Sequence, residues 1–164
     1  MEVRPLIGRD REKIVRLLRH RGFFSQKEIQ VALEVIDEAL RHPEKKEYQV
    51  FCAFDGDGDL AGYICFGPIP MTDSCFDLYW IVVDEKFARK GVGGKLLGFM
   101  EACLTREGAL RIYIDTSSSP PYASARSFYE KHGYQAVCTL KDFYRSGDHK
   151  VIYMKEAFSI ALET

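Results

Sequence analysis

The segment Phe87-Ala-Arg-Lys-Gly91-Val-Gly93-Gly94-Lys-Leu-Leu97 carries the strongest chemical signal in this chain. It follows the apolar run Leu78-Tyr-Trp-Ile-Val-Val83 and opens an apolar pattern at helical spacing, so a strand feeds a glycine-rich turn that becomes a helix N-terminus. Such a turn presents main-chain N–H groups with no helical partner and the positive end of the helix dipole. Gly91 and Gly93 have no side chains, which lets a bulky anion approach the backbone closely. Arg89, Lys90 and Lys95 add positive charge. The chemistry that suits this arrangement is diphosphate binding. A tight strand-to-helix connection, with glycines for packing, would use the same residues. Two nucleotide motifs are excluded. A P-loop needs Ser or Thr after Gly-Lys and a glycine five residues before the second, where this chain has Leu96 and Arg89. A dinucleotide fingerprint needs a third glycine at Leu96.

Bulk properties narrow the classes further. A chain of 164 residues suits one domain, 1–164, with a substantial core. The 23 basic and 24 acidic residues leave a net charge of -1, which gives no footprint for nucleic acid or an anionic membrane. No apolar run reaches the roughly 18 residues of a membrane span, and Met-Glu-Val-Arg-Pro lacks a signal-peptide core. The five cysteines are odd in number and show no CxxC spacing, so they read as reduced residues, four of them in apolar runs, of a cytoplasmic protein. The four histidines are scattered, and no metal site is expected.

The elements that must position the turn follow from periodicity. Residues 2 to 7 are extended. Asp10 caps a helix through His20 that turns Ile14, Leu17 and Leu18 to one side. Ser25-Gln-Lys-Glu28 forms a capping box for a helix with Ile29, Ala32, Leu33, Ile36 and Leu40 inward. Strands at 48–54 and 60–67 flank the hairpin turn Asp55-Gly-Asp-Gly-Asp59, which lacks the glutamate a calcium loop requires. The strand 76–83 reads as buried on both faces. A helix from Val92, a strand at 110–115, a helix over 122–132 stopped by Gly133, and strands at 134–140 and 150–155 complete the chain. The order β, α, α, β, β, β, α, β, α, β, β gives an α/β (α+β) fold, a mixed sheet with helices on its faces.

A second motif, Ala125-Arg-Ser-Phe128-Tyr129-Glu-Lys-His-Gly133-Tyr134, joins the first. Together, Gly91-Val-Gly93 after a strand and Ala-x-x-Phe-Tyr-x-x-x-Gly-Tyr resemble the GCN5-related N-acetyltransferase superfamily over nearly the whole chain. The stretch Asp142-Phe-Tyr144-Arg-Ser-Gly-Asp148 is weakly similar to the ends of ribosomal-protein-type N-acetyltransferases. The resemblance implies the acyl-CoA N-acyltransferase fold, a mostly antiparallel sheet of about seven strands. It implies acetyl-CoA (coenzyme A) as co-substrate and a small-molecule or peptide amine as acceptor. It also implies that the diphosphate lies on the amides of Arg89, Lys90, Gly91, Val92, Gly93 and Gly94, beside Lys95. The pantetheine arm would pair with Ile81, Val82 and Val83, and the Val83 N–H would meet the carbonyl oxygen. Dimers are common among similar proteins, so a homodimer is allowed. Two positions depart from the family: Ala88 stands where Gln or Arg is usual, and Tyr122 where Asn contacts the pantetheine arm. These departures also fit a CoA-binding module without catalysis.

Amine acetylation needs a neutral amine, and holding an amine of pKa ~10.4 neutral near pH 7 costs about 4 to 5 kcal/mol. A carboxylate that takes the proton meets that need. Asp77 lies in the apolar run Cys75-Phe-Asp-Leu-Tyr-Trp, on one face with Tyr79 and Ile81. By resemblance it matches the base of histone-type members, though a paired structural carboxylate would look the same. Asp115 ends the next strand, where ribosomal-protein-type members carry a catalytic glutamate; it also suits a turn start before Thr116. By resemblance Tyr129 is the general acid for the departing thiolate, with a core tyrosine as the plainer alternative.

Overall fold

The computed structural model describes residues 1–157. The elements are β1 (Glu2–Pro5), α1 (Arg11–His20), α2 (Gln26–Arg41), β2 (Gln49–Phe54), β3 (Leu60–Pro68), β4 (Cys75–Val83), α3 (Val92–Arg106), β5 (Arg111–Ser117), α4 (Ala123–Lys131), β6 (Gln135–Arg145) and β7 (Asp148–Glu156). This is the order that the hydrophobic periodicity predicts. The strands form a seven-stranded, mostly antiparallel sheet in the order β1-β2-β3-β4-β5-β7-β6. The β4/β5 pair is parallel, with Cys75 opposite Arg111 and Asp77 opposite Tyr113. Among the described residues, no helix is long and apolar enough to cross a membrane.

The chain falls into two compact units. One comprises Met1–Pro68 and Tyr79–Cys103; the other comprises Ile69–Leu78 and the residues from Leu104 onward. Both β4 and α3 contribute residues to each unit.

In the first unit the predicted stripes form the core. Ile14, Leu17 and Leu18 of α1 and Ala32 and Ile36 of α2 are buried with Cys52, Tyr63, Cys65 and Val82, and Ile29, Leu33 and Leu40 pack partly buried against them. The capping box forms as expected. Ser25 Oγ accepts the Glu28 N–H at 3.2 Å, and Glu28 Oε2 accepts the Ser25 N–H at 2.7 Å. In the Asp55–Asp59 turn, Asp55 Oδ1 accepts the N–H groups of Asp57 and Asp59 at 3.0 and 2.9 Å. Asp10 does something other than cap. Its side chain makes no bond to the helix; it holds Arg4 at 2.7 and 2.9 Å and the Ile7 N–H at 3.0 Å. Strand β1 brings the guanidinium close, and a charged bidentate partner outcompetes a helix amide.

In the second unit, Ile112, Ile114 and Thr116 of β5 and Val151 and Tyr153 of β7 are buried. Tyr129 of α4 lies with its ring 5.9 Å from that of Tyr153 and 6.3 Å from that of Tyr134. The β6/β7 hairpin is longer than the sequence suggests: both strands extend to Arg145 opposite Asp148, across Ser146 and Gly147. A register shift between Leu140 and Arg145, with Asp142 at φ 51°, interrupts the alternation that would have shown this.

Two expectations about burial are corrected. In β4, Phe76, Leu78 and Val82 are buried, but Asp77 is half-buried and Tyr79 is 37% exposed, so one face of the strand is open. Its apolar residues are continuous, but side chains alternate between two faces, and only one face is covered by core. Of the cysteines, Cys52 and Cys65 are buried, Cys75 and Cys103 are partly covered, and Cys138 is exposed on β6; none of these five is in a disulfide.

Candidate active site

The glycine turn is built from Asp84 onward. Asp84 Oδ1 accepts the Lys86 N–H at 2.9 Å and starts a single 3₁₀ turn, Glu85–Phe87. Phe87 is buried and anchors the segment. The chain then passes through Arg89 at φ 60° and Gly91 at φ 78°. A left-handed arginine costs about 1–2 kcal/mol, and strain of this kind concentrates where a backbone shape serves a ligand. The first ladder bond of α3 runs from the Lys95 N–H to Gly91 O at 3.0 Å, so the amides of Val92, Gly93 and Gly94 lie ahead of the ladder. A Cβ placed on Gly91 would meet nothing within 4 Å. The left-handed φ favours glycine here, and the space around its Cα is open. Lys90 Nζ lies 5.5 Å from the centroid of the Phe87 ring. Lys95, which the sequence suggested would add charge here, instead donates from Nζ to Met1 O at 2.7 Å.

Strand β4 leads into this turn with defined main-chain polarity. The Asp84 N–H donates to Ala61 O at 2.9 Å, and Val82 O lies 2.6 Å from where a Cβ on Gly62 would sit. Val82 and Asp84 thus face β3. Because peptide groups alternate along a strand, the N–H and C=O groups of Ile81 and Val83 point away from β3. That is the polarity the strand-like pairing of a pantetheine arm requires.

The titratable side chains lie in the second unit. Asp77 is opposite Tyr113, and Asp115 stands two residues further along β5, on the same face. Asp115 pairs with Ile152, and Ser117 with Lys150, so Lys150 shares this face too. Lys150 Nζ lies 2.8 Å from Asp115 Oδ2 and 4.1 Å from the centroid of the Phe143 ring. Burial, and then the charge of Asp115, push the Asp77 carboxyl up to about 6, with Lys150 opposing. The chain beyond β5 is tied down by its neighbours. Ser117 Oγ donates to buried Asp148, the Ser118 N–H donates to His149 O at 2.9 Å, and Arg126 Nη1 donates to the carbonyls of Ser117 and Ser119 at 2.6 and 3.0 Å. Tyr122 closes the 3₁₀ turn Pro120–Tyr122 just before α4.

Tyr129 does not join the aspartates. Its neighbour Tyr153 pairs with Ile114, one residue out of phase with Asp115, so Tyr129 lies under the opposite face of β5 and β7. Burial pushes its phenol up to about 12. The structure thus brings Asp77 and Asp115 together, adds Lys150 to them, and sets Tyr129 apart. Lys150 gives no signal in the sequence, because no local spacing relates a lysine on the last strand to aspartates 35 or more positions earlier.

Residues 46–136 match the family described as the acetyltransferase (GNAT) domain. A solved GNAT-family protein from Desulfovibrio desulfuricans is 37% identical, with a TM-score of 0.91 over 96% of this chain and 99% of that one. The ribosomal-protein-S18-alanine N-acetyltransferase from Escherichia coli is 18% identical, with a TM-score of 0.76 over 99% of this chain and 97% of that one. The PaiA N-acetyltransferase from Thermoplasma acidophilum, solved in complex with coenzyme A, is 21% identical, with a TM-score of 0.73 over 94% and 98%. A search of curated proteins gave no match.

Proposed function

Because this chain belongs to the GNAT acetyltransferase family, we propose that it moves an acetyl group from acetyl-CoA to a primary amine by direct attack. The observation that carries this reading is the turn at Arg89–Gly94. Its amides at Val92, Gly93 and Gly94 lie ahead of the α3 ladder, and they follow an exposed left-handed glycine, Gly91, as a diphosphate site requires. The outward-facing peptide groups of Ile81 and Val83 suit the pantetheine arm and the acyl carbonyl.

In the reaction the amine nitrogen attacks the carbonyl carbon, the C–S bond breaks with its electron pair going to sulfur, and the amine's proton goes to a carboxylate of the Asp77/Asp115 pair. A carboxyl at about 6 is ionised at neutral pH yet still basic enough to accept a proton. Tyr129 stays protonated at neutral pH. With its phenol at about 12 and a free thiol at ~8.5, complete transfer to sulfur costs about 5 kcal/mol. Tyr129 therefore serves as a hydrogen-bond donor to the departing sulfur more than as a source of a fully released proton. The S18-alanine and aminoglycoside 6'-N-acetyltransferases among the structural neighbours both take amine acceptors, which supports the acceptor class without choosing its member. Five cysteines outside any disulfide fit a reducing compartment, the cytoplasm.

The test is thermal unfolding with and without acetyl-CoA, alongside thiol release on a panel of amines. Acetyl-CoA is expected to raise the melting temperature, and Gly91→Glu to abolish that shift while leaving the unliganded protein folded. An unchanged shift in Gly91→Glu would move the donor site elsewhere. A shift with no thiol release on any amine would leave a binding module without catalysis.

A further inference from the structure

We propose that Lys150 is a positioning residue for the acetyl transfer: by pairing with Asp115 it leaves Asp77 as the carboxylate that takes the acceptor's proton. The geometry comes from three adjacent strands. Asp77 on β4, Asp115 on β5 and Lys150 on β7 lie on one face by register, and the ammonium sits 2.8 Å from Asp115 Oδ2. The lysine is held in place. Its side chain is 18% exposed against 45% for Asp115, and the Phe143 ring on β6 covers the ammonium at 4.1 Å. An aromatic face and a carboxylate together hold a cation more firmly than either alone.

Two carboxylates on one face repel each other, and a single cation shared unequally separates their roles. Asp115 is engaged by the Lys150 ammonium. Asp77 forms no ion pair among the described residues, and it is the more covered of the two. Tyr79 on β4 and Arg111 and Tyr113 on β5 share the face of Asp77 by register; beside Lys150 lie Tyr144 on β6, which burial raises while Lys150 lowers it and Asp115 and Asp148 raise it, and Asp148, which is held by Ser117 and, at 3.6 Å, by Arg145. Neither of these last two supplies a second cation to Asp115. A clamp that merely joined β5 to β7 would use the same ion pair, so the test must read proton affinity.

The kinetic arm rests on the acetyl-transfer reading above; the spectroscopic arm does not. Side-chain carboxyl carbons are titrated by NMR in the wild type, Lys150→Met and Lys150→Arg, with Asp77→Asn to assign the signal. The acid limb of kcat/KM is measured on the same proteins. In Lys150→Met, the Asp77 titration and the acid limb are expected to rise together by about one pH unit. Lys150→Arg should restore both, and affinity for coenzyme A should stay within about twofold because the diphosphate site lies on other residues. An Asp77 titration in Lys150→Met that superimposes on the wild type overturns the proposal, as does an acid limb that stays in place while the titration moves. Absence of turnover in the wild type would instead overturn the proposed function, leaving the titration to decide the effect of Lys150 on Asp77.

Discussion

At the scale of single residues, Asp77 and Tyr129 both carry displaced proton affinities, and the proposed reaction gives each a role. Asp77 is raised to about 6 by burial and by Asp115, so kcat/KM should fall about tenfold per pH unit below 6 where one proton blocks one base. The same displacement acts on stability with a definite sign. Between an unfolded value of ~3.9 and a folded value of about 6, the native state binds more protons than the unfolded chain. The contribution of Asp77 is thus present below that window and lost as pH rises through it. Asp77→Asn should therefore melt higher than the wild type at pH 8, with the difference shrinking toward pH 4; a constant difference would show that Asp77 titrates at its ordinary value. Tyr129→Phe should lower kcat by about 10²-fold, with the KM for acetyl-CoA nearly unchanged, because a donor to the departing sulfur acts in the transition state. The ring packs on Tyr134 and Tyr153, and phenylalanine keeps that packing. The type of residue at 129 was legible in the sequence motif. Its separation from the aspartates was not, because the face on which a helix lies follows from packing.

At the scale of elements, the strand-turn-helix from β4 into α3 does the positioning. It depends on a close approach from β3. A Cβ on Gly62 would sit 2.6 Å from Val82 O, 3.2 Å from Val83 Cα and 3.3 Å from Leu96 Cδ1. Two of these three atoms are backbone and cannot turn aside. Gly62→Val should destabilise the protein by about 3 kcal/mol or more in urea unfolding, in the range of severe overpacking, and should weaken coenzyme A binding because β4 would move at Val83. Destabilisation with unchanged affinity would show that the turn holds its shape independently of β3. The elements themselves were readable where one local rule decided them. Ser25 and Glu28 cap α2 as their spacing requires, and Asp55 closes its own turn. Asp10 departs from the cap its position suggests because its partner, Arg4, comes from a strand six residues earlier rather than from the helix it precedes.

At the scale of the whole molecule, ligand binding is expressed as stability. Acetyl-CoA at 100 times its dissociation constant adds about 2.7 kcal/mol. For a chain of 164 residues that corresponds to a rise of about 5–10 °C in melting temperature, measurable by differential scanning fluorimetry; desulfo-coenzyme A, which keeps the diphosphate, should give most of it. By itself the sequence determined the order of the elements, the apolar stripes of α1 and α2, and the glycine turn, since each of these is written in spacings within about twenty residues. Only the tertiary structure decided which strand borders which, that one face of β4 stays open, and that Asp77, Asp115 and Lys150 meet on it. Those residues lie 35 or more positions apart, and nothing in local periodicity relates them; the strand registers Asp77–Tyr113 and Ser117–Lys150 do.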